Sequence, residues 1–239
     1  MYSSQNPVAP KNWVIFDGDN TLWLIEHLYD EARENLCHHL VARGHDAHEV
    51  DKFQRNRDRE LHASYGYSAC RFARSFEDTA LKFAPESSGK DILHVRNLAL
   101  EVFEREATLP DGLDHLLKDL AQKYSLAIVT AGEHWVQKRR IEYFHLSHLF
   151  SAIEIVETKN ASVFLGFCEK YAVCKENSWM VGDSINSDVI PATEAGLNAA
   201  YLAAKNWAVI EGIAADLPYG AISIKDLADL RSHLLANEN

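Results

Sequence analysis

The sequence predicts an α/β protein: a parallel sheet with helices on both faces, carrying an all-α domain inserted after its first strand. Three observations lead there. Trp13-Val14-Ile15-Phe16 is an apolar run too short for a helix and rich in β-formers, and it ends in the polar Asp17-Gly18-Asp19-Asn20-Thr21. From about Ile25 to Ala107 no strand pattern recurs, only charged stretches with helical periodicity. From Leu113 onward strand-like and helix-like segments alternate, as crossover-connected parallel strands do.

Each element follows in order. The first strand is Trp13–Phe16, buried throughout because every position is apolar. Leu28, Ala32, Leu36, His39 and Leu40 share one face of a helix that ends near Gly44. A polar segment, Ala47 to Ala63, comes next, then the turn-like Tyr65-Gly66-Tyr67. Ser68 caps a third helix through Ala84, and Gly89 to Ala107 reads as a fourth. About four helices in roughly 80 residues make a bundle of ordinary domain size. Arg71 and Arg74 lie one turn apart, either reaching toward a substrate or forming a solvated stripe beside the turn aromatics.

Pro110-Asp111-Gly112 marks the return to the sheet. The sequence then predicts helix 113–123 and strand 126–130, helix 135–144 and strand 152–156, helix 161–171 and strand 179–181. Helix 188–195, strand 199–202, strand 221–224 and a closing helix from Lys225 complete it. Residues 1–24 and 108–239 are therefore expected to form the α/β core, and 25–107 the helical insertion.

Bulk properties narrow the function. With 24 basic against 35 acidic residues the net charge is −11. Such a surface lacks a broad basic footprint, so nucleic acid and anionic membranes are not expected as partners; a small anionic substrate can still enter a locally positive pocket. No apolar run approaches the ~20 residues that span a bilayer. Met1 to Lys11 has neither the basic start nor the apolar stretch of a signal peptide. Cys37, Cys70, Cys168 and Cys174 show no C-x-x-C spacing, which suits reduced thiols in a cytoplasmic protein. Oligomeric state is not legible. The twelve histidines are scattered, and His48-Glu49 has Lys52 where H-E-x-x-H needs its second histidine. Neither a Walker loop nor a G-x-S-x-G elbow follows a strand.

The chemistry gathers at strand ends. The first strand delivers Asp17, Asp19 and Thr21; 126–130 delivers Thr130-Ala131-Gly132; 179–181 delivers Gly182-Asp183-Ser184, with Asp188 five residues beyond Asp183. Ends of neighbouring parallel strands lie side by side, so these groups converge. Asp17 and Asp19, spaced i, i+2, point the same way on extended backbone and can share one cation or reacting group. Like charges ~4 Å apart repel by roughly 4 kcal/mol at a typical effective dielectric, so several carboxylates need a counter-charge. All-oxygen ligands favour Mg2+, which shares its shell with phosphate. Thr130 offers a hydroxyl, small Ala131 and Gly132 let backbone N–H groups approach an oxyanion, and Lys159 supplies a fixed positive charge. Nucleophile, acid, lysine and metal together suit phosphate-monoester hydrolysis.

These motifs, in this order, resemble the haloacid dehalogenase (HAD) superfamily of hydrolases, phosphatase type, with a helical C1-type cap. The four motifs are Asp17-Gly18-Asp19-Asn20-Thr21, Thr130, Lys159, and Gly182-Asp183 through Asp188. Asn20 stands where glycine is frequent, and Asn160 follows Lys159 where proline or a small polar residue is usual. The resemblance implies a Rossmann-like three-layer core and Mg2+-dependent hydrolysis of a small phosphorylated metabolite. Asp17 would be the nucleophile that forms an aspartyl-phosphate, and Asp19 the acid and base. Thr130 and Lys159 would hold the phosphoryl oxygens. The metal would sit on the Asp17 carboxylate, the Asp19 backbone carbonyl and Asp183, with Asp188 bound directly or orienting Lys159. Alternatives on the same fold are dehalogenation, phosphoryl transfer between hydroxyls, and a non-catalytic binding role. The molecule cleaved could be a sugar phosphate, a nucleotide, flavin mononucleotide or phosphoglycolate.

Overall fold

The computed structural model of the protein describes residues 11–203 and 217–235. The polar stretch Met1 to Pro10, read above for targeting signals, lies outside the described residues. The sheet has six parallel strands: β1 (Trp13–Phe16), β2 (Ser125–Ala131), β3 (Ala152–Val156), β4 (Trp179–Gly182), β5 (Asn198–Leu202) and β6 (Ala221–Ile224). Their spatial order is β3-β2-β1-β4-β5-β6. The order reverses at β1, which pairs with β2 on one side and β4 on the other. Ligands of open α/β sheets bind at that reversal, beyond the carboxyl ends of the strands. Every residue of β1 is buried, which explains why its sequence does not alternate.

The helices take their places by their apolar faces. Trp13 and Ile15 pack with Ala127, Val129 and Met180 against Phe164 and Phe167 of α7 (Ala161–Lys170) and Ala192 of α8 (Ile190–Glu194). The Trp13 ring meets Phe167 edge-on with centroids 5.5 Å apart. In α5 (Leu113–Leu120), Leu113, Leu116, Leu117 and Leu120 form one buried stripe. Arg231 of α9 (Leu227–Leu235) ties it down through Asp119 at 2.6 Å. Between β2 and β3 lies α6 (His134–Tyr143).

Ile25–Thr108 forms a second compact unit, and the chain before and after it forms the first. It contains α1 (Glu26–Val41), α2 (Ala47–Tyr65), α3 (Ala69–Phe83) and α4 (Gly89–Leu100). Asp46, Ser68 and Ser88 each cap a helix by accepting an N–H from its first turn. Leu28, Leu36, Phe72, Phe76 and Phe103 are buried, with Tyr29 and Phe103 edge-on around Phe72. Arg71 bonds Asp58 and the Gly66 carbonyl, both at 2.9 Å, and Arg74 pairs with Asp78 at 2.8 Å. Both arginines are engaged within this helical unit.

Several expected boundaries shift. The polar segment after Gly44 is the longest helix of this unit, α2, held by its Asp46 cap and by ion pairs such as Arg57–Asp78. The fourth helix ends at Leu100, where a 3₁₀ turn over Glu101–Phe103 buries Val102 and Phe103. The segment expected as one helix from Asp188 begins as a π-turn over Ile185–Val189 before α8. Pro191 has no N–H to continue the regular ladder there. All four cysteines are free thiols. Among the described residues no helix is long and apolar enough to cross a membrane.

Candidate active site

The ends of β1, β2, β3 and β4 bring the charged groups together. Asp17 leaves β1 with its N–H still bonded to Val181 of β4 at 2.9 Å, so the strand pairing fixes where its carboxylate starts. The chain then turns tightly. The Gly18 carbonyl accepts from Leu22 at 2.9 Å and Trp23 at 3.1 Å, and Asn20 takes the left-handed backbone at φ 59° that asparagine tolerates. Gly18 admits no side chain, because a Cβ would run into the Trp23 ring and the Thr130 hydroxyl.

Lys159 lies beyond β3, and Asn160 behind it caps α7 by accepting the Val163 N–H at 3.1 Å. That cap is the physical reason for an asparagine at this position. The Lys159 ammonium, 3% exposed, donates to Asp17 Oδ1 at 2.5 Å and pairs as well with Asp188. Asp188 is fully buried, and its other oxygen accepts the Ser184 N–H at 3.0 Å. Gly182 permits this, since a Cβ there would overlap the Asp188 carboxyl.

Asp17, Asp183 and Asp188 place ligand oxygens within 4.8 Å of one another. Burial pushes the Asp17 carboxyl from its ordinary 3.8 up to about 7, opposed by the Lys159 charge and reinforced by Asp188. Burial, then repulsion from Asp17 and Asp188, also raises Asp183 well above the usual carboxylate range. Burial works against the charged form of Lys159, but Asp17 and Asp188 outweigh it and hold the ammonium above its ordinary value. With all three carboxyls ionised, one ammonium would leave two negative charges uncompensated, and burial answers this by favouring protons on Asp17 and Asp183. A divalent cation would take the place of those protons, and three buried carboxyls with no nitrogen or sulfur among them suit a hard ion such as Mg2+.

The Asp19 side chain has protein partners of its own among the described residues. Its Oδ1 accepts the Trp23 indole N–H at 2.6 Å and pairs with Arg140, while its Oδ2 accepts Gln137 Nε2 at 3.0 Å. Thr130, at the end of β2, donates its hydroxyl to Gln137 Oε1 at 3.1 Å. The reading of Gly132 is corrected. Its N–H goes to the Val156 carbonyl at 3.0 Å, an extension of the β2–β3 pairing, so that donor is not available to an oxyanion. Gln137, Arg140 and Trp23 belong to none of the motifs read from the sequence. Gln137 and Arg140 sit three apart beside buried Val136, a helical-face signal masked by the basic run Lys138-Arg139-Arg140.

Residues 11–196 match the family described as haloacid dehalogenase-like hydrolase. A glyceraldehyde 3-phosphate phosphatase from Methanopyrus kandleri is 24% identical over 190 residues, covering 77% of this chain and 80% of that protein. A haloacid dehalogenase-like family hydrolase from Xanthomonas campestris superposes with TM-score 0.77 at 23% identity, over 98% of this chain and 94% of that one. An L-2-haloacid dehalogenase from Xanthobacter autotrophicus reaches TM-score 0.63 at 17% identity, over 95% and 99%. The six-stranded parallel sheet, the strand-end carboxylates and the matched span agree: this chain belongs to the haloacid dehalogenase-like hydrolase family.

Proposed function

We propose that the protein is a Mg2+-dependent phosphatase that hydrolyses a small phosphorylated metabolite through an aspartyl-phosphate on Asp17. One observation carries the reading. A buried Asp17 carboxyl at the sheet's reversal point touches a buried lysine and stands with two further buried carboxyls whose oxygens lie within 4.8 Å of one another. The name of the Methanopyrus relative, a phosphatase of a three-carbon sugar phosphate, supports the same class of substrate.

In the first step an Asp17 oxygen attacks phosphorus, the bond from phosphorus to the leaving oxygen breaks, and Asp19 gives that oxygen its proton. In the second step Asp19 takes a proton from water, the water oxygen attacks phosphorus, and the bond to Asp17 breaks to release orthophosphate. Lys159 and the Ala131 N–H hold the phosphoryl oxygens as charge develops, joined by the Thr130 hydroxyl once it turns from Gln137 Oε1. Asp17 must be ionised to attack, and the Lys159 ammonium favours that form although burial opposes it. Mg2+ would be held by the Asp17 carboxylate, the Asp19 carbonyl and Asp183, with Asp188 close by, and would neutralise phosphoryl and carboxylate charge.

Fold similarity to a dehalogenase supports a second reading, in which Asp17 attacks a carbon that bears halogen. Asp188 would still hold Lys159, but buried Asp183 would then have no cation to bind and a desolvation cost. The deciding experiment measures phosphate release from p-nitrophenyl phosphate with Mg2+, with chelator, and in Asp17→Asn. Activity is expected in the first case only; activity that survives chelator or Asp17→Asn refutes the reading. Halide release without metal would favour the dehalogenase.

A further inference from the structure

We propose that Arg140 and Gln137 of α6 are positioning residues for Asp19. The inference rests on the phosphatase reading, in which Asp19 serves the leaving oxygen and Thr130 the phosphoryl group. The Arg140 side chain is only 6% exposed and its guanidinium pairs with Asp19, 121 residues away in sequence. Gln137 is buried and bridges two groups: its Oε1 accepts the Thr130 hydroxyl at 3.1 Å while its Nε2 donates to Asp19 Oδ2 at 3.0 Å. One amide therefore ties Asp19 to the end of β2 before substrate arrives, and its Nε2 bond to Asp19 remains when the Thr130 hydroxyl turns to a phosphoryl oxygen.

The fold does not need a charge there. A helix face packed on the protein interior is ordinarily apolar, and replacing a buried ion pair by apolar side chains is often neutral or stabilising. Arg140 nevertheless points a buried cation at a carboxylate whose own side chain is 28% exposed, so Asp19 is gripped from within and open on its other side. Indole, guanidinium and amide donors approach from three residues and use both carboxylate oxygens, which fixes the aim of the group as well as its place. Proton transfer tolerates little misalignment; a displacement of about 1 Å can cost roughly 100-fold in rate.

The test compares two esters. p-Nitrophenolate leaves readily without a proton, whereas phenolate, whose conjugate acid has a pKa of about 10, leaves far better protonated. Arg140→Met keeps the bulk of the side chain and removes its donors. With Mg2+ present, the variant is expected to lose roughly 10- to 100-fold in kcat/KM for phenyl phosphate and only a few-fold for p-nitrophenyl phosphate. Arg140→Lys should recover part of the difference. Gln137→Met makes the same comparison through the other bond and serves if Arg140→Met does not fold. Equal losses on both esters, as a purely structural role would give, or no loss on either, overturn the proposal. A wild-type protein that cleaves neither ester refutes the phosphatase reading itself, and the positioning role with it.

Discussion

Replacing Lys159 by Met tests whether the buried ammonium holds the acid cluster together. At 2.5 Å, and at an effective dielectric of about 20, its attraction to Asp17 alone amounts to about 7 kcal/mol. Relief from burying the ammonium offsets several kcal/mol, so breaking the pair should cost about 3–5 kcal/mol where Asp17 is ionised. For a chain of this size that lowers Tm by roughly 10 °C. The loss must depend on pH. Asp17 has a folded-state pKa raised to about 7 from an ordinary 3.8, so its contribution to stability is present below about pH 4 and lost as pH climbs through 7. Without Lys159 the carboxyl rises further, and the gap between variant and wild type should widen from pH 5 to pH 8. Thermal unfolding followed by circular dichroism in chelator, at both pH values, measures it. A Tm loss equal at the two pH values, or absent at pH 8, would refute the electrostatic account of the cluster.

Other outcomes follow from the same geometry. Asp17→Asn removes a carboxylate that the fold disfavours, so at pH 8 in chelator it should melt several degrees above wild type while losing turnover. Saturating Mg2+ should stabilise the wild type, by about 2.7 kcal/mol at 100 times Kd, with a larger Tm increment at pH 8 than at pH 5 because Asp17 and Asp183 must give up protons to bind it. Gly182→Ala forces a methyl against the Asp188 carboxyl and should cost about 1–3 kcal/mol in Tm-derived stability, together with most of the activity, by displacing Lys159.

The sheet was legible because short apolar runs such as Trp13–Phe16 and Trp179–Val181 end abruptly in polar residues, and that abruptness is a property of sequence. The acids and the lysine at those ends were legible for the same reason. What lay beyond reach depends on where distant segments meet. Arg140 reads as one of three consecutive basic residues, and only the fold, by placing Asp19 beside it, decides that this one turns inward. The Gly132 N–H reads as a free donor until β3 is seen to extend alongside it to Val156. The π-turn over Ile185–Val189 has no periodicity of its own to betray it; it follows from Asp188 reaching back over Gly182 to Lys159 and the Ser184 N–H.

In the proposed mechanism Asp17 carries the phosphoryl group between two half-reactions. Mixing the protein with p-nitrophenyl phosphate and Mg2+, quenching in acid within the first turnover, and mapping the digested chain by mass spectrometry tests it most directly. A phosphoryl group is expected on the Asp17 peptide of the wild type and none in Asp17→Asn. Phosphate released with the Asp17 peptide unmodified at every quench time, or a phosphoryl group found on another residue, would contradict it.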